Sequence, residues 1–427
     1  MEQSRLSLMK SYLDKSALYP PLISNFPNPN LKMILIIPAY HEEEILLTLL
    51  SLFEANRIDL SIEIIVVLNY PEKNAEQEKE FHEKQHTKIN QWILENRIPK
   101  LQIYCPSPVV LKSKHAGVGL VRKIGMDEAV RRFIQIGNSN GIIINIDADC
   151  LCDKNYWYSI QAYFSSKEFK PCVGFNFNHR IEDLSPENLK AIIDYELHLR
   201  YYIAAQKIIQ YPFAYQTLGS CFAIETHAYC AQGGMNKRQA GEDFYFLHKF
   251  SVIEQLGEID EVLVYPSARI SERVPFGTGK AVSNYLESGQ QLSYTFEAIN
   301  YFGQVIKMIP RWYEMNTNEI LLSIHLIENN LSNYFMTEKI IEEIERCKSN
   351  CSDLVSFNKR MLRWLNPFRL MKYLHYMRDH GYPDQEIKTE AIKLLSQSNI
   401  TLPNMLDSKN LLEYYRQNFQ SQNCHLK

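Results

Sequence analysis

Asp147-Ala148-Asp149 sets two carboxylates two residues apart at the end of an apolar run, Ile142-Ile143-Ile144-Asn145-Ile146. Two hard oxygen donors at that spacing suit Mg²⁺ or Mn²⁺, which keep several waters and bind phosphates. The same tripeptide also makes plain turns, because Asp hydrogen-bonds its own backbone. A second acidic pair, Glu242-Asp243, precedes the stretch Phe244–Phe250. Such a pair serves either as a helix start or, held in place by that helix, as a general base.

These residues need rigid elements to hold them. Residues 142–150 read as a buried strand running out into a loop, and open α/β sheets bind ligands at the carboxyl ends of strands. Lys32–Tyr40 is a first buried strand stopped by Pro38, and His41-Glu42-Glu43-Glu44 is expected to open a helix with its acids in the first turn. Ile62–Leu68 is a second strand, ending at Asn69-Tyr70-Pro71, and Leu101–Cys105 a third. A polar helix, Glu76–Asn96, and an amphipathic one, Gly119–Ile134, come between strands. Further on lie a strand at Cys172–Phe177, a long helix at Glu187–Ile209 and a strand at Val262–Tyr265. Strand and helix alternate as in a parallel α/β sheet.

From about Leu286 the pattern becomes helical, with Ile340, Ile341, Ile344 and Cys347 on one face. The expected organisation is an extension over 1–30, an α/β domain over 31–285 and a helical region over 286–427. Of the 427 residues, 45% are hydrophobic, enough for a sizeable core, and the net charge of −3 offers no field for nucleic acid. The nine cysteines lack metal-type spacing and suit buried free thiols in a reducing cytoplasm. No run approaches a membrane span, and the start MEQSRLSLMK does not read as a secretory signal. In the helical region, residues 359–378 mix Lys and Arg with Trp, Phe, Tyr and Leu. That mixture fits peripheral contact with the inner face of a membrane, or a core helix pair broken at Asn366-Pro367.

Taken in order, the motifs resemble those of a family 2-type GT-A glycosyltransferase over about Leu31–Lys280. They are Pro38-Ala39-Tyr40-His41-Glu42-Glu43, the Gly-containing turn and helix start from His115 to Lys123, and Asp147-Ala148-Asp149. Gly219–Ile224 follows, then Gly233-Gly234 and Ala240-Gly241-Glu242-Asp243-Phe244. The resemblance implies a GT-A, Rossmann-like sheet and a metal-dependent, inverting transfer of a sugar from a nucleotide-sugar donor to a hydroxyl acceptor. It implies Asp149 as the holder of Mg²⁺ or Mn²⁺, Asp147 as a contact to the nucleoside ribose or to the metal, and Pro38, Ala39, Tyr40 and Glu42 as a nucleoside pocket. Gly119 and Gly219 belong to the substrate side. Arg122 would pair with the diphosphate as a bidentate cation, and Asp243, with Glu242 beside it, would be the catalytic base. Apart from the resemblance, Arg269 and Arg273, four residues apart in a loop with Gly277 and Gly279, read either as a lid over the diphosphate or as an ordinary surface loop. Asn69 stands where many relatives carry an Asp that contacts the base, His41 replaces the usual Asn, and no Gln-x-x-Arg-Trp motif follows the Glu-Asp pair. A retaining transferase, a nucleotidyltransferase and a non-catalytic sugar-binding protein are the other readings.

Overall fold

The computed structural model describes residues 2–56, 59–182, 184–270, 277–398, 400 and 407–419. The chain divides into two compact units. The first takes residues 2–180 and 217–268. In chain order it holds α1 (Glu2–Ser16), β1 (Leu31–Ala39), α2 (Ile45–Glu54), β2 (Ser61–Pro71), α3 (Ala75–Glu95), β3 (Leu101–Tyr104) and β4 (Val109–Leu111). Then come α4 (Val118–Gln135), β5 (Ile142–Asn145), β6 (Leu151–Cys152), α5 (Tyr156–Ser165) and β7 (Cys172–Phe177). After α6 (Pro186–Ile208), which belongs to the second unit, follow β8 (Phe222–Glu225), α7 (Thr226–Ala231), α8 (Glu242–Val252) and β9 (Leu256–Tyr265).

The strands form one sheet in the order β3-β2-β1-β5-β8-β7-β9-β6, with β4 also paired to β2. β1 is parallel to β2 and to β5, and the run of Ile and Leu along it is buried on both faces, as a strand covered by helices requires. The expected parallel α/β sheet is therefore present, with two departures, the short β6, which pairs antiparallel with β9 at one edge, and β8. β8 pairs antiparallel with both β5 and β7. Sequence periodicity cannot see that direction, because a buried strand is apolar whichever way it runs. Two further expectations shift. The acids of 42–44 sit in a turn before α2, whose own first turn holds none. β2 does not stop at Asn69; it runs on through Pro71, where β4 supplies the partner for Asn69, Tyr70 and Pro71.

α4 is buried almost all round, although its sequence reads as amphipathic. The reason is α1 and the segment after it, which cover its outer face. Tyr12 Oη donates to Asp127 Oδ1 at 2.7 Å, and Lys123 Nζ donates to Tyr12 Oη at 2.6 Å. The backbone N–H of Leu22 donates to Glu128 at 3.0 Å, and Arg132 donates to the carbonyl of Asn25 at 2.9 Å. Residues 1–30, read from sequence as a separate extension, thus supply partners for buried charges of the first unit.

The second unit takes residues 181–216, including α6, and the chain from 277 onward. So α6, which sequence placed inside the 31–285 span, clusters with the helical region. That unit holds α9 (Thr278–Ser288), β10 (Leu292–Ser293), α10 (Phe296–Trp312), α11 (Thr317–His325), α12 (Asn329–Thr337) and α13 (Ile340–Ser349). It continues through α14 (Leu354–Trp364), α15 (Pro367–Asp379), β11 (Gln385–Glu386), α16 (Ile387–Gln397) and α17 (Ser408–Asn418). Glu196 of α6 is fully buried and accepts from Arg416 of α17 at 2.7 and 2.8 Å and from Arg200 at 2.7 Å. α15 starts as anticipated, with Asn366 capping Arg369 N–H at 3.1 Å and Pro367 in the first turn. Met361, Leu365, Leu370, Tyr373, Leu374 and Met377 of the basic-aromatic stretch are buried in this unit's own core, which is the core-pair reading of those residues. No described helix is long and apolar enough to cross a membrane.

Candidate functional site

The strand order reverses between β1 and β5: β2 lies on one side of β1 and β5 on the other. That switch point, at the carboxyl ends of the strands, is where an open α/β sheet leaves a crevice. The loop after β1 carries Tyr40, His41 and Glu42, and the loop after β5 carries Asp147 and Asp149. The antiparallel direction of β8 adds a third segment. Because Phe222 pairs with Asn145, the start of β8 lies at the carboxyl end of β5, and Gly219 is brought beside Asp147.

Arg122, in the first turns of α4, ties these segments together. Its Nη2 donates to Asp147 Oδ1 at 2.5 Å, its Nη1 to the Gly219 carbonyl at 2.8 Å and its Nε to Glu242 Oε1 at 2.8 Å. The residue is 2% exposed. Every nitrogen of the guanidinium thus donates to a protein acceptor, so in this arrangement the fork grips carboxylates and a carbonyl where sequence had it grip a diphosphate. Asp243 completes the ring: its Oδ2 accepts the Gly219 N–H at 2.8 Å and its Oδ1 the Phe244 N–H at 2.7 Å.

Glycines permit these approaches. A Cβ on Gly219 would collide with the Arg122 guanidinium, and one on Gly119 would collide with the carbonyl of Arg238 and Cβ of Glu242. Gly119, expected on the substrate side, packs closely under the 236–242 segment. α8 opens from Gly241 at φ 68°, a left-handed conformation that favours glycine. Glu242 and Asp243 are then the first two residues of the helix and do not cap it, so the capping role considered for this pair does not apply.

The charges are unequal. Asp147, Glu242 and Asp243 face one guanidinium. Burial alone would lower the Arg122 pKa, but Asp147, Glu242 and Asp243 more than reverse it and hold it above its ordinary value. Burial pushes both Glu242 and Asp243 up, with Arg122 pulling each part of the way back. A carboxylate raised toward neutrality is what a general base needs.

Asp147 and Asp149 are both half-buried, and the Asp147 side chain is 38% exposed. Arg122 takes Oδ1 of Asp147, the Cys150 thiol lies 3.7 Å from Asp149 Oδ1, and the carboxylates of Asp147 and Asp149 are the hard oxygen donors of this loop. That donor set fits a divalent cation that completes its shell with water and phosphate. The loop is held by Thr48, whose hydroxyl donates to the Ala148 carbonyl at 2.8 Å, and by Arg180, which donates to the Asp149 carbonyl at 3.3 Å.

Of the residues expected to line a nucleoside pocket, Pro38 and Ala39 are buried, Glu42 is 2% exposed and Tyr40 is half-buried. Asn69 is buried and its Nδ2 donates to the Ala39 carbonyl at 2.9 Å, so it braces the end of β1. Arg269 is half-buried and clusters with the second unit, and Arg273 lies outside the described residues. Buried thiols sit near the carboxylates, but burial pushes Cys150 and Cys221 well up and makes them inert.

Sequence reasoning passed over one group. Tyr40 Oη donates to Glu78 Oε1 at 3.0 Å, His41 pairs with Glu78 Oε2, and His82 Nε2 lies 3.5 Å from the same oxygen. Burial pushes His82 down to about 4, which leaves it neutral at pH 7. Glu78 and His82 stand at i and i+4 on α3, a spacing visible in the sequence, but its third member, His41, is 37 residues earlier. His179, His227 and His248 join no such group among the described residues.

No family model and no curated protein matches the chain. Among solved structures, it is similar to S. aureus TarS 1–349 in complex with UDP-GlcNAc, at 12% identity and TM-score 0.38, over 87% of this chain and 93% of that one. It is similar also to GalNAc-T7 with UDP, GalNAc and Mn²⁺, at 14% identity and TM-score 0.34, over 68% of this chain and 51% of that one. A third is glucosyl-3-phosphoglycerate synthase from Mycobacterium tuberculosis in complex with Mn²⁺, UDP-glucose and glycerol 3-phosphate. It aligns at 13% identity and TM-score 0.31, over 60% of this chain and 78% of that one.

Proposed function

We propose that the chain is a metal-dependent, inverting glycosyltransferase of GT-A type that moves a sugar from a nucleotide-sugar donor to a hydroxyl acceptor. The observation that carries this reading is the Arg122 cluster. It gathers Asp147, Gly219, Glu242 and Asp243, drawn from three distant segments, at the switch point of an α/β sheet.

Asp149, with the second oxygen of Asp147, would hold Mg²⁺ or Mn²⁺. A cation there supplies Lewis acidity to the donor phosphates as charge develops on the leaving group. Asp243 takes the proton of the acceptor hydroxyl. As it does, the acceptor oxygen bonds to the anomeric carbon from the face opposite the leaving group, the bond from that carbon to the phosphate oxygen breaks, and the nucleoside diphosphate departs. The two backbone N–H groups on Asp243 fix its direction, and burial raises its affinity for the proton. Glu242 and Arg122 are positioning residues: they lock Gly219 and Asp147 to α4. Tyr40 and Glu42 would take the nucleoside.

The test is a thermal-shift panel of nucleoside diphosphates and nucleotide sugars with and without Mn²⁺, followed by product analysis. A native-state ligand raises Tm by mass action. The expected result is a metal-dependent shift with one nucleotide, lost in Asp149→Ala, and a product of inverted anomeric configuration. Release of pyrophosphate in place of nucleoside diphosphate, or binding without turnover in any acceptor mixture, overturns the reading.

A further inference from the structure

Among the described residues, His41, Glu78 and His82 form the one group of three His, Cys, Asp or Glu side chains whose ligand atoms all lie within 4.8 Å of one another. Two imidazoles and one carboxylate are a donor set for transition-metal dications, as in His₂Glu zinc sites. Zinc sits about 2.0–2.1 Å from each donor, so tetrahedral donors stand roughly 3.3 Å apart. The 3.5 Å between His82 Nε2 and Glu78 Oε2 is close to that separation, while His41 Nε2 pairs directly with the same oxygen and would draw back to admit an ion.

Other observations point toward a ligand. His82 is fully buried, its Nδ1 has no hydrogen-bond partner, and its Nε2 reaches only Glu78 Oε2, at the long distance of 3.5 Å. A buried polar group without a close partner is costly, and an ion at Nε2 would remove the deficit there. His41 has φ 50°, a left-handed conformation unusual for a residue with a side chain, which turns its ring onto α3. Tyr40 Oη on Glu78 Oε1 is the kind of outer hydrogen bond that orients a metal-binding carboxylate. The rings of Tyr40 and Tyr70 stack on His82, and Phe81 stacks on His41, which keeps water from the inner side. The His41 side chain is 38% exposed, so the outer side stays open for entry and for a fourth ligand.

We propose that His41, Glu78 and His82 bind one transition-metal dication, Zn²⁺ by donor type, at a site whose ligands are all different from the Asp147 and Asp149 pair. The ion would pin the turn after β1 to α3, in the segment that also carries Tyr40. The carboxylate pair offers only hard oxygen donors and takes its cation together with phosphate. The histidine site needs no nucleotide.

The experiment uses the full chain, stripped with chelator and titrated with Co²⁺ in the absence of nucleotide. The expected result is a visible absorption band saturating at one equivalent and bleached by Zn²⁺. Asp149→Ala keeps the band, and His41→Ala, at a half-exposed position, loses it. Tyr40→Phe weakens Co²⁺ by about 10–100-fold, as loss of an outer hydrogen bond to a ligand does. Glu78→Gln serves as the second ligand variant if His41→Ala does not fold by circular dichroism. No band in the unmodified chain overturns the proposal, as does a band that survives both ligand variants or disappears in Asp149→Ala. A band seen when nucleotides fail to bind leaves this site standing without the transferase reading, so the two fail separately.

Discussion

At one end of α4 Arg132 meets one carboxylate; at the other Arg122 meets three. Arg132 is fully buried and makes a two-pronged pair with Glu63, and its remaining donors reach the Asn25 carbonyl and the Tyr104 hydroxyl. Charge there is balanced and each of the three nitrogens donates to a protein acceptor, so the pair is structural. Arg122 is as deeply buried, yet Asp147, Glu242 and Asp243 leave a surplus of negative charge around it. Excess charge out of water is expensive and persists only where something else supplies a counter-charge. A proton on a raised carboxyl and a divalent cation on Asp147 and Asp149 are the two counter-charges this geometry admits. The difference separates an arginine whose charge is matched from one, on the same helix, whose carboxylates outnumber it at the candidate site.

The sharpest way to break that contrast is Asp243→Asn. If Asp243 is the base, transfer falls by about 10²–10⁴-fold, far more than the modest drop in melting temperature expected because Asn can accept only one of the two backbone N–H groups that Asp243 holds. An initial-rate assay on the folded variant checks it, and an unchanged rate removes Asp243 from the chemistry.

Arg132→Met is next. It strands Glu63 in the core and costs about 3–5 kcal/mol in urea unfolding, and adding Glu63→Leu recovers most of the loss. A loss under 1 kcal/mol would mean that the pair is not what anchors that end of α4.

Arg122→Met has a different signature. Without the guanidinium, the folded-state pKa values of Glu242 and Asp243 climb further above their unfolded values. Groups raised in the folded state favour folding below the unfolded pKa and lose that contribution as pH rises. The stability deficit is therefore small near pH 4 and grows toward pH 8, by up to about 1.4 kcal/mol per pH unit for each group released. Denaturation at several pH values measures the slope; a deficit independent of pH would make Arg122 equivalent to Arg132.

The smallest effect is on the pH profile. Because burial raises Asp243, the acid limb of kcat/KM lies above the ordinary aspartate range of about 3.9, with activity falling as pH drops through it. A limb at or below 3.9 would assign the base elsewhere.

Local chemistry carried much of this molecule into its sequence. The Ile-rich runs of β1, β2 and β5 and the loop carboxylates after β5 are readable because burial and turn chemistry act over a few residues. The direction of β8 is not readable, since apolar residues pack equally well either way, and the meeting of Gly219 with Asp147 depends on it. The burial of α4 escaped for a related reason. Its charged outer face looks solvent-bound until α1 is laid over it. Glu242 and Asp243 stand out as a pair, but their division into a partner of Arg122, 120 residues away, and an acceptor of the Gly219 N–H, 24 residues away, needs the folded chain. His82 is not legible, because a histidine in a polar helix that also holds His86 carries no signal until His41 is folded against it.

The covering of α4 by residues 1–30 also sets an order of events. Tyr12 bonds Asp127, 115 residues further on, and touches the hydroxyl of Tyr229, 217 residues further on. α1 therefore emerges from the ribosome long before anything it packs against exists. It has little apolar surface of its own to bury, and it gains its place only after α4 and α7 have been made. Closing loops of that length is slow, so the last step in folding of the first unit is expected to be the arrival of its earliest-made helix. Until that step, Lys123, Asp127, Glu128 and Arg132 remain open to water on a nascent chain.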